Sequence, residues 1–570
     1  MRVLRILGLL LVTPVFASAQ ASGERTNSSA KDSVESAELK SLREALSQTQ
    51  KQVERQQREI EALRQRSKIE EASPVPQEQP RSVESATPIT IASSVEPSAY
   101  AGANVKTWPG SQEGQKKEEQ ELPSGSFRID HAVLTLGGFV DFENVFRTTN
   151  TQSNIATNFA AIPFRNTTQG RLTEFRSTAQ YSRLNLKVTD KFGANDVTGY
   201  IEGDFSGNDA TSVYQTVNSH TNRLRLYFME LKRGKWEFLG GQTWSWLTPN
   251  RNGLGPMPSD LAITYNEDQN IGVGLPYTRA AEFRVAYHPT DHWAVGVGIE
   301  NPNQYIGGFV ALPQAYSAAL SPQFDNGAQI GAPNWFPDIL SKIAYDTDVR
   351  GRHFHFEATG LVTGVRAGVF PHAGASFSSH SVVGGGGQVA ANYQVLRNLV
   401  ILVNAFWSDG GARYLVATGP QLVIRPDTTG TEIFPSMVHA GAGSAGLEWR
   451  ASSKTGLAVY YGADYFQRNF FPDTTNTAHP TTIIGYGGPG SPSNNNRGIQ
   501  QITADWIQTF WKHPKYGALQ YYTQYSYLTR APWFVEPGAP KNAHLSMVYA
   551  GFRYVFPSTS GTLERVPYPN

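Results

Sequence analysis

The chain has 570 residues, a formal net charge of +1 at pH 7 and no Cys, and it is rich in Gly (53), Pro (34) and aromatic residues (29 Phe, 25 Tyr, 11 Trp). The near-zero net charge argues against nucleic acid as a partner, and the lack of Cys excludes disulfides. A hydrophobic fraction of 39% is low for a helical membrane protein. It is expected for a membrane β-barrel, in which only alternate residues of each strand face lipid.

The first 19 residues have the pattern of an export signal. Arg2 and Arg5 precede the apolar run 7–16, and Ala17-Ser18-Ala19 forms a small-x-small cleavage site. This run is too short to span a bilayer, and no later segment offers the roughly 18 apolar residues that a spanning helix needs. The sequence therefore predicts a signal peptide at 1–19 and excludes a helical membrane protein.

Residues 30–66 are predicted to form an α-helical coiled coil. Successive heptads place Leu39, Leu46, Val53 and Ile60 at a positions, and Leu42, Thr49, Gln56 and Leu63 at d positions. The remaining positions are mostly charged or Gln, so the helix needs a partner to bury its apolar stripe. We interpret this segment as an oligomerisation element in the periplasm, and three strands agree best with the rest of the chain. The alternative is a single solvated helix.

Residues 67–126 lack any hydrophobic period. Pro, Ser, Glu and Gln dominate, as in Pro74–Pro80 and in the mixed-charge run 116–121. Such a segment buries too little apolar surface to offset the entropy lost on ordering. It is predicted to be a disordered periplasmic linker.

Residues 127–556 contain many short segments that alternate apolar and polar residues, typical of an outer-membrane β-barrel. The last of them, 545–556, resembles the C-terminal signal by which such barrels are inserted, although a tail, 557–570, follows it here. Its predicted lipid face consists of Val548, Ala550, Phe552, Tyr554 and Phe556. Its predicted lumen face consists of Tyr549, Gly551 and Arg553.

The length of this region predicts about sixteen antiparallel strands, at about 27 residues for each strand with its connection. A barrel of that size leaves an aqueous channel. One of the long loops is expected to fold inward and narrow it. The candidates are 149–174, 248–277, 301–350 and 471–498.

Charged residues on the polar faces of these segments are the candidates for lining the pore and selecting solutes. They are Arg183, Lys187, Arg223, Arg225, Glu202, Asp204, Asp141 and Glu143. The planar guanidinium of Arg suits carboxylate and phosphate. If the strands adjoin, these residues line one stretch of wall. The alternative is that they only solvate or cross-brace the lumen.

Five segments carry a resemblance to a known family: Tyr181–Lys187, Tyr200–Phe205, Arg223–Arg225, Gly241–Ser245 and Gly410–Leu415. Together they resemble the DcaP-like porins of Gram-negative outer membranes. The resemblance runs over most of the barrel and includes an upstream coiled coil. It implies a homotrimer of sixteen-stranded barrels that favours small anionic solutes such as dicarboxylates.

Other classes of function have weaker support in the sequence. His353, His355 and Glu357 share one strand face and could hold a metal, but three polar residues on one face are an ordinary barrel lining. No motif marks a catalytic nucleophile, and no cofactor is predicted. An outer-membrane enzyme is one alternative of another class. The coiled coil and linker could instead tether the outer membrane to peptidoglycan. The sequence favours a porin for passive diffusion of small hydrophilic, anionic solutes, with a phosphate- or sugar-selective porin as the alternative.

Overall fold

The computed structural model describes residues 122, 124–207, 220–256, 272–326, 334–479 and 481–557. The predicted signal peptide, coiled coil and most of the linker lie outside the described residues, as does the tail from residue 558 onward. The predictions for those segments stay predictions.

The described chain consists mainly of strands, with a few short helical turns. The strands are β1 (Ser126–Ile129), β2 (Ala132–Arg147), β3 (Glu174–Thr178), β4 (Arg183–Phe192), β5 (Asn195–Asp204), β6 (Arg223–Arg233), β7 (Trp236–Trp244), β8 (Arg279–Tyr287), β9 (Trp293–Glu300), β10 (Asp338–Asp348), β11 (His353–Val369), β12 (Ser378–Leu396), β13 (Leu399–Asp409), β14 (Leu422–Pro426), β15 (Ile433–Met437), β16 (His439–Arg450), β17 (Thr455–Phe466), β18 (Asn469–Pro472), β19 (Ile483–Tyr486), β20 (Asn496–His513), β21 (Gly517–Pro532) and β22 (Ala543–Val555). The helical turns are one α-helix, α1 (Ser317–Leu320), and 3-10 turns at Phe159–Ala161, Gln314–Tyr316, Ser321–Gln323 and Ala412–Tyr414. None of the helices among the described residues has the length and apolar character needed to cross a bilayer.

Within the described residues, sixteen strands form a closed antiparallel barrel. Each pairs with the next along the chain, in the order β2, β4 to β13, β16, β17, β20, β21 and β22. The ring closes where β22 pairs with β2, from Phe139 opposite Val555 to Arg147 opposite Met547. Strand β3 extends the line of β4 on the same edge of β2, whereas β14–β15 and β18–β19 are separate hairpins. The predicted barrel of about sixteen strands is confirmed.

The two faces of each strand differ as the sequence predicts. On β2, the Phe142 side chain points outward and is 52% exposed, whereas its neighbours Asp141 and Glu143 are 1% exposed inside the barrel. The predicted faces of the last strand are confirmed in the same way, with Val548 and Phe552 exposed and Tyr549 and Arg553 buried. An apolar outer face is what a barrel presents to lipid.

The two ends of the barrel differ in their connections. Seven connections have two to five residues: 193–194, 234–235, 288–292, 349–352, 397–398, 451–454 and 514–516. The end of the barrel that carries these seven short connections is called the turn end. The opposite end carries eight longer connections and is called the loop end. Exposed aromatic side chains mark both ends, with Trp236, Trp293 and Trp449 at the turn end and Phe175, Phe370 and Trp407 at the loop end. Short turns at one end, long loops at the other and aromatic belts at both are typical of outer-membrane barrels.

One strand departs from the predicted alternation. The sequence pattern places Arg223, Arg225 and Tyr227 on one face of β6, opposite Leu224, Leu226 and Phe228. In the structure a register shift between β5 and β6 follows Leu224, and Arg225 and Leu226 are both buried. Tyr227 is therefore exposed and Phe228 buried. The predicted faces of Leu226, Tyr227 and Phe228 were wrong because a bulge adds one residue and reverses the alternation beyond it.

Candidate functional site

The connection between β7 and β8, residues 245–278, folds into the barrel. We call it the lumenal loop. Its described parts are 245–256 and 272–278. Trp246, Leu247 and Thr248 are buried, although they follow a strand that ends at the rim. Of the four candidate loops, 248–277 is thus one that enters the lumen. The candidate 301–350 was wrong in extent, because its second half contains strand β10, Asp338–Asp348.

A buried lysine on β10 holds the first part of the lumenal loop. The Nζ of Lys342 donates to the backbone oxygens of Trp246 (2.9 Å) and Thr248 (3.3 Å) and to Oδ1 of Asn250 (3.0 Å). It also lies 3.0 Å from Oε2 of Glu357, and that carboxylate accepts from the backbone N–H of Asn250 at 3.1 Å. Both charged side chains are fully buried. They therefore fix the loop against the inner faces of β10 and β11.

Further along, the loop contacts both β16 and β10. The guanidinium of Arg251 forms a bidentate ion pair with Glu448 on β16. The backbone N–H of Gly253 donates to Oδ2 of Asp346 at 2.9 Å. Asp346 in turn holds Nδ1 of His355 at 2.8 Å. His355 and Glu357, weighed from sequence as metal ligands, therefore support the loop in this structure.

The returning part of the loop, 272–278, lies directly on the barrel wall. The backbone N–H of Val273 donates to Gln501 (2.8 Å), and that of Gly274 donates to Asp464 (2.9 Å). Gly274 has a φ of +88°, and a Cβ there would lie 2.1 Å from the backbone oxygen of Gly443. A Cβ on Gly462 would lie 1.7 Å from the backbone oxygen of Val273. Glycine at these positions lets two backbones approach to hydrogen-bond distance.

The end of the loop is held by a polar cluster at the loop end of the barrel. The backbone N–H of Tyr277 donates to the backbone oxygen of Tyr414 at 2.9 Å. The Tyr414 hydroxyl lies 2.8 Å from Asp338 and 3.1 Å from Glu300, and Arg413 contacts Asp338 at 2.5 Å. Burial raises the pKa of Tyr414 well above its ordinary value, and the two carboxylates act in the same direction. The hydroxyl therefore stays protonated and keeps donating.

Five of the predicted site residues form one ion-pair network on β4, β5 and β6, which we call the arginine wall. Asp204 is its centre. It accepts from Nε (2.9 Å) and NH2 (2.6 Å) of Arg223 and from NH1 of Arg225 (2.8 Å). Glu202 accepts from Nε of Arg225 at 3.1 Å and lies 3.5 Å from Arg183. Strands β4, β5 and β6 are neighbours in the barrel, so the condition that these residues line one stretch of wall is met.

The cationic and anionic side chains of this region differ in their exposure to solvent. The Arg223 side chain is 28% exposed, whereas that of its partner Asp204 is 1% exposed. Lys187 shares the inward parity of Arg183, is exposed, and makes no ion pair with any described residue. Solvent in the lumen therefore meets cationic groups more than the carboxylates that balance them.

The two remaining predicted residues lie beside this wall on β2. Asp141 accepts from NH2 of Arg553 (2.7 Å) and from the hydroxyl of Tyr522 (2.9 Å). Because Asp141 and Arg553 are also paired across β2 and β22, this ion pair bridges the strands that close the barrel. Glu143 is the next residue after Asp141 on the inner face of β2, and it is also buried.

Sequence reasoning missed Lys342, Glu448 and Asp464 as functional residues. Each has inward parity on its strand, so alternation could have placed them in the lumen. Nothing in their local sequence indicates that a loop more than 60 residues away would cover them.

No family model and no curated protein matches the sequence. Among solved structures, the fold is similar to that of the outer membrane channel DcaP of Acinetobacter baumannii, with a TM-score of 0.53, 17% identity, and coverage of 76% of this chain and 100% of that chain. Weaker similarities include Pseudomonas putida OprB (TM-score 0.40, 11% identity, 74% of this chain and 94% of that chain) and Salmonella typhi OmpF in complex with daunomycin (0.41, 11%, 76% and 100%). The predicted resemblance to DcaP-like porins is confirmed at the level of the fold.

Proposed function

We propose that this protein is an outer-membrane channel of a Gram-negative bacterium through which small hydrophilic solutes diffuse passively. The observation that carries the proposal is a closed sixteen-stranded barrel with an apolar outside, a polar inside and a loop bound across its lumen. Barrels of this size leave an aqueous channel. A loop fastened to the inner wall narrows that channel and sets the size of what passes.

We further propose that the channel prefers anions, such as small carboxylates. The support is that the carboxylates of the arginine wall are buried, whereas Arg223 is partly exposed and Lys187, outside the wall on β4, is exposed. Charges that line a narrow pore select ions of the opposite sign.

The anion preference is tested by the zero-current potential of the purified protein in a planar bilayer under a KCl gradient. The native channel is expected to show a potential of the sign that anion flow produces. The double variant Lys187→Ala/Arg223→Ala should move it toward zero. One charge at about 4 Å in water is worth about 1 kcal/mol, a roughly fivefold change in local anion concentration.

The matched control is Lys191→Ala/Lys515→Ala, which removes two exposed cations from the turn end instead of the arginine wall. It should leave the zero-current potential close to the native value. A native channel that prefers cations would overturn the anion proposal and leave the channel proposal standing. Absence of conductance would overturn both.

We also propose that the chain assembles as a homotrimer in outer-membrane lipid, with the coiled coil at 30–66 in the periplasm. Deleting residues 20–126 while keeping the signal peptide separates this segment from the barrel. The truncated protein is expected to retain conductance, because the described barrel closes without those residues. Size-exclusion chromatography with light scattering should show more dissociation on dilution, since the seam of the coil is lost.

Peptidoglycan binding is measured on the same pair of proteins. If the full chain sediments with purified cell wall and the truncated chain does not, the segment also acts as a tether. If the truncated protein loses conductance while still folded, the coiled coil is part of the channel and its proposed accessory role is wrong.

A further inference from the structure

The outer face of the barrel carries a groove near the loop end that the channel does not use. It has a volume of about 610 Å³ and lies over β13, β16, β17, β20 and β21. The groove follows a row of outward-facing residues that runs across five neighbouring strands, each residue paired with the next. These residues are Trp407, Gly441, Tyr465, Gly498 and Ala531. Large rings thus alternate with residues that have little or no side chain.

The Trp407 ring covers Gly441, where a Cβ would lie 2.5 Å from that ring, so the open part of the groove lies over Gly498 and Ala531. The next row toward the turn end is also mostly small, with Ala405, Gly443 and Ala463. The rings of Trp407 and Tyr465 are exposed and nearly parallel, with centroids 6.4 Å apart at 13°. The groove also includes the polar side chains of Gln500, Thr529 and Asn542. Its small residues and exposed rings face the lipid side of the barrel and leave room for part of an acyl chain.

Two arginines lie beside the groove on its loop-end side. The guanidiniums of Arg468 and Arg497 lie 5.5 Å and 6.0 Å from the ring centroid of Trp533. Trp533 itself packs edge-on against Tyr465 at 6.2 Å. Both arginines are exposed, and neither makes an ion pair with any described carboxylate. Both guanidiniums contact the same indole ring through cation–π interactions, and a guanidinium also suits a phosphate.

A polar cavity of about 400 Å³ joins this site and includes Arg468, Asn469, Gln467, His439 and Asp409. Its one carboxylate belongs to Asp409, whose Oδ1 lies 3.3 Å from Nδ1 of His439. That contact directs the negative charge toward the histidine. The arginines therefore keep a positive balance at the level where the aromatic belt places lipid headgroups.

We propose that this face binds a phosphorylated lipid of the outer leaflet, with an acyl chain in the groove and a phosphate on Arg468 and Arg497. The shape fits the chain and the charge fits the headgroup. The alternative occupant is a neighbouring copy of this protein. The inference rests on the proposed outer-membrane placement but not on channel activity.

The test is native mass spectrometry of the full chain in detergent with diphosphoryl lipid A, in EDTA so that no divalent cation bridges lipid and protein. The native protein should retain the lipid. Arg468→Ala/Arg497→Ala should weaken binding at least about tenfold, as expected for the loss of hydrogen bonds to a charged phosphate. Ala463→Phe, which fills the groove and keeps both arginines, should weaken binding of the same lipid.

The matched control is Arg397→Ala/Lys454→Ala, which removes two exposed cations at the turn end and should bind as the native protein does. Unchanged binding in the Arg468/Arg497 variant would overturn the proposal. So would dissociation of an oligomer in that variant, because the face would then be an interface between copies. Loss of conductance with intact lipid binding would refute the channel and leave this site in place.

Discussion

Excising the lumenal loop is expected to raise the single-channel conductance at least about twofold, because an unobstructed sixteen-stranded barrel leaves a wide aqueous channel. The variant replaces residues 246–277 with a short Gly-Ser turn. Such a turn closes the gap, since Trp244 and Arg279 are direct neighbours on β7 and β8. Conductance is measured in planar bilayers, and the uptake of larger solutes into liposomes should rise with it.

The control for this excision removes residues 536–539 from the connection between β21 and β22. That segment is largely exposed at the same end of the barrel, so its loss should leave conductance unchanged. Lys342→Met supplies an independent test, because it removes four contacts of the loop and keeps the loop itself. Its traces should show fluctuating conductance. A native conductance in the excision variant would mean that the loop is not the constriction.

Asp204→Ala is expected to be the most destabilising single change in the arginine wall, at about 3–5 kcal/mol, because removing one partner leaves buried charge uncompensated. Arg225 is 1% exposed and would lose its hydrogen bond to Asp204 while it keeps its contact with Glu202. Arg223 would lose its two hydrogen bonds to Asp204. The free energy of unfolding in guanidinium chloride, followed by tryptophan fluorescence in lipid vesicles, measures the loss.

Asp196→Ala is the matched control on the same strand. Asp196 pairs with Lys191 at 3.2 Å, but its side chain is 57% exposed. Exposed pairs are worth about 0–1 kcal/mol. Equal effects of the two substitutions would show that the arginine wall is solvated and contributes little to stability. In that case water reaches the Asp204 side chain more than the small exposed fraction of that side chain indicates.

Much of the barrel follows from alternation along single strands. The alternating segments predicted which side of β2 faces lipid, and the inward positions of Arg183, Glu202 and Asp204 follow from the same period of two. The pairing of strands could also be predicted from the sequence, because in this barrel each strand pairs with the next one along the chain. The bulge in β6 was missed because an extra residue leaves no mark in the composition of Leu224–Phe228.

The lumenal loop illustrates what a single sequence leaves open. Four long loops were candidates, and their own residues do not separate them. The lumenal loop is held by partners far along the chain, such as Lys342, Glu448 and Gln501, which reach it only after the barrel has closed. For the same reason the sequence indicated charged residues in the lumen but not which of them pair with each other.

The closure of β2 on β22 has a consequence for how the molecule reaches its native state. Asp141 and Arg553 meet across the closing edge although 412 positions separate them in the chain. Until β22 is in place, β2 and β21 present unpaired backbone edges, which favour aggregation. Pairings of such high contact order form slowly. Because β22 supplies both closing pairings, with β2 and with β21, we expect truncation within β22 to prevent closure of the barrel rather than only to change the shape of the pore.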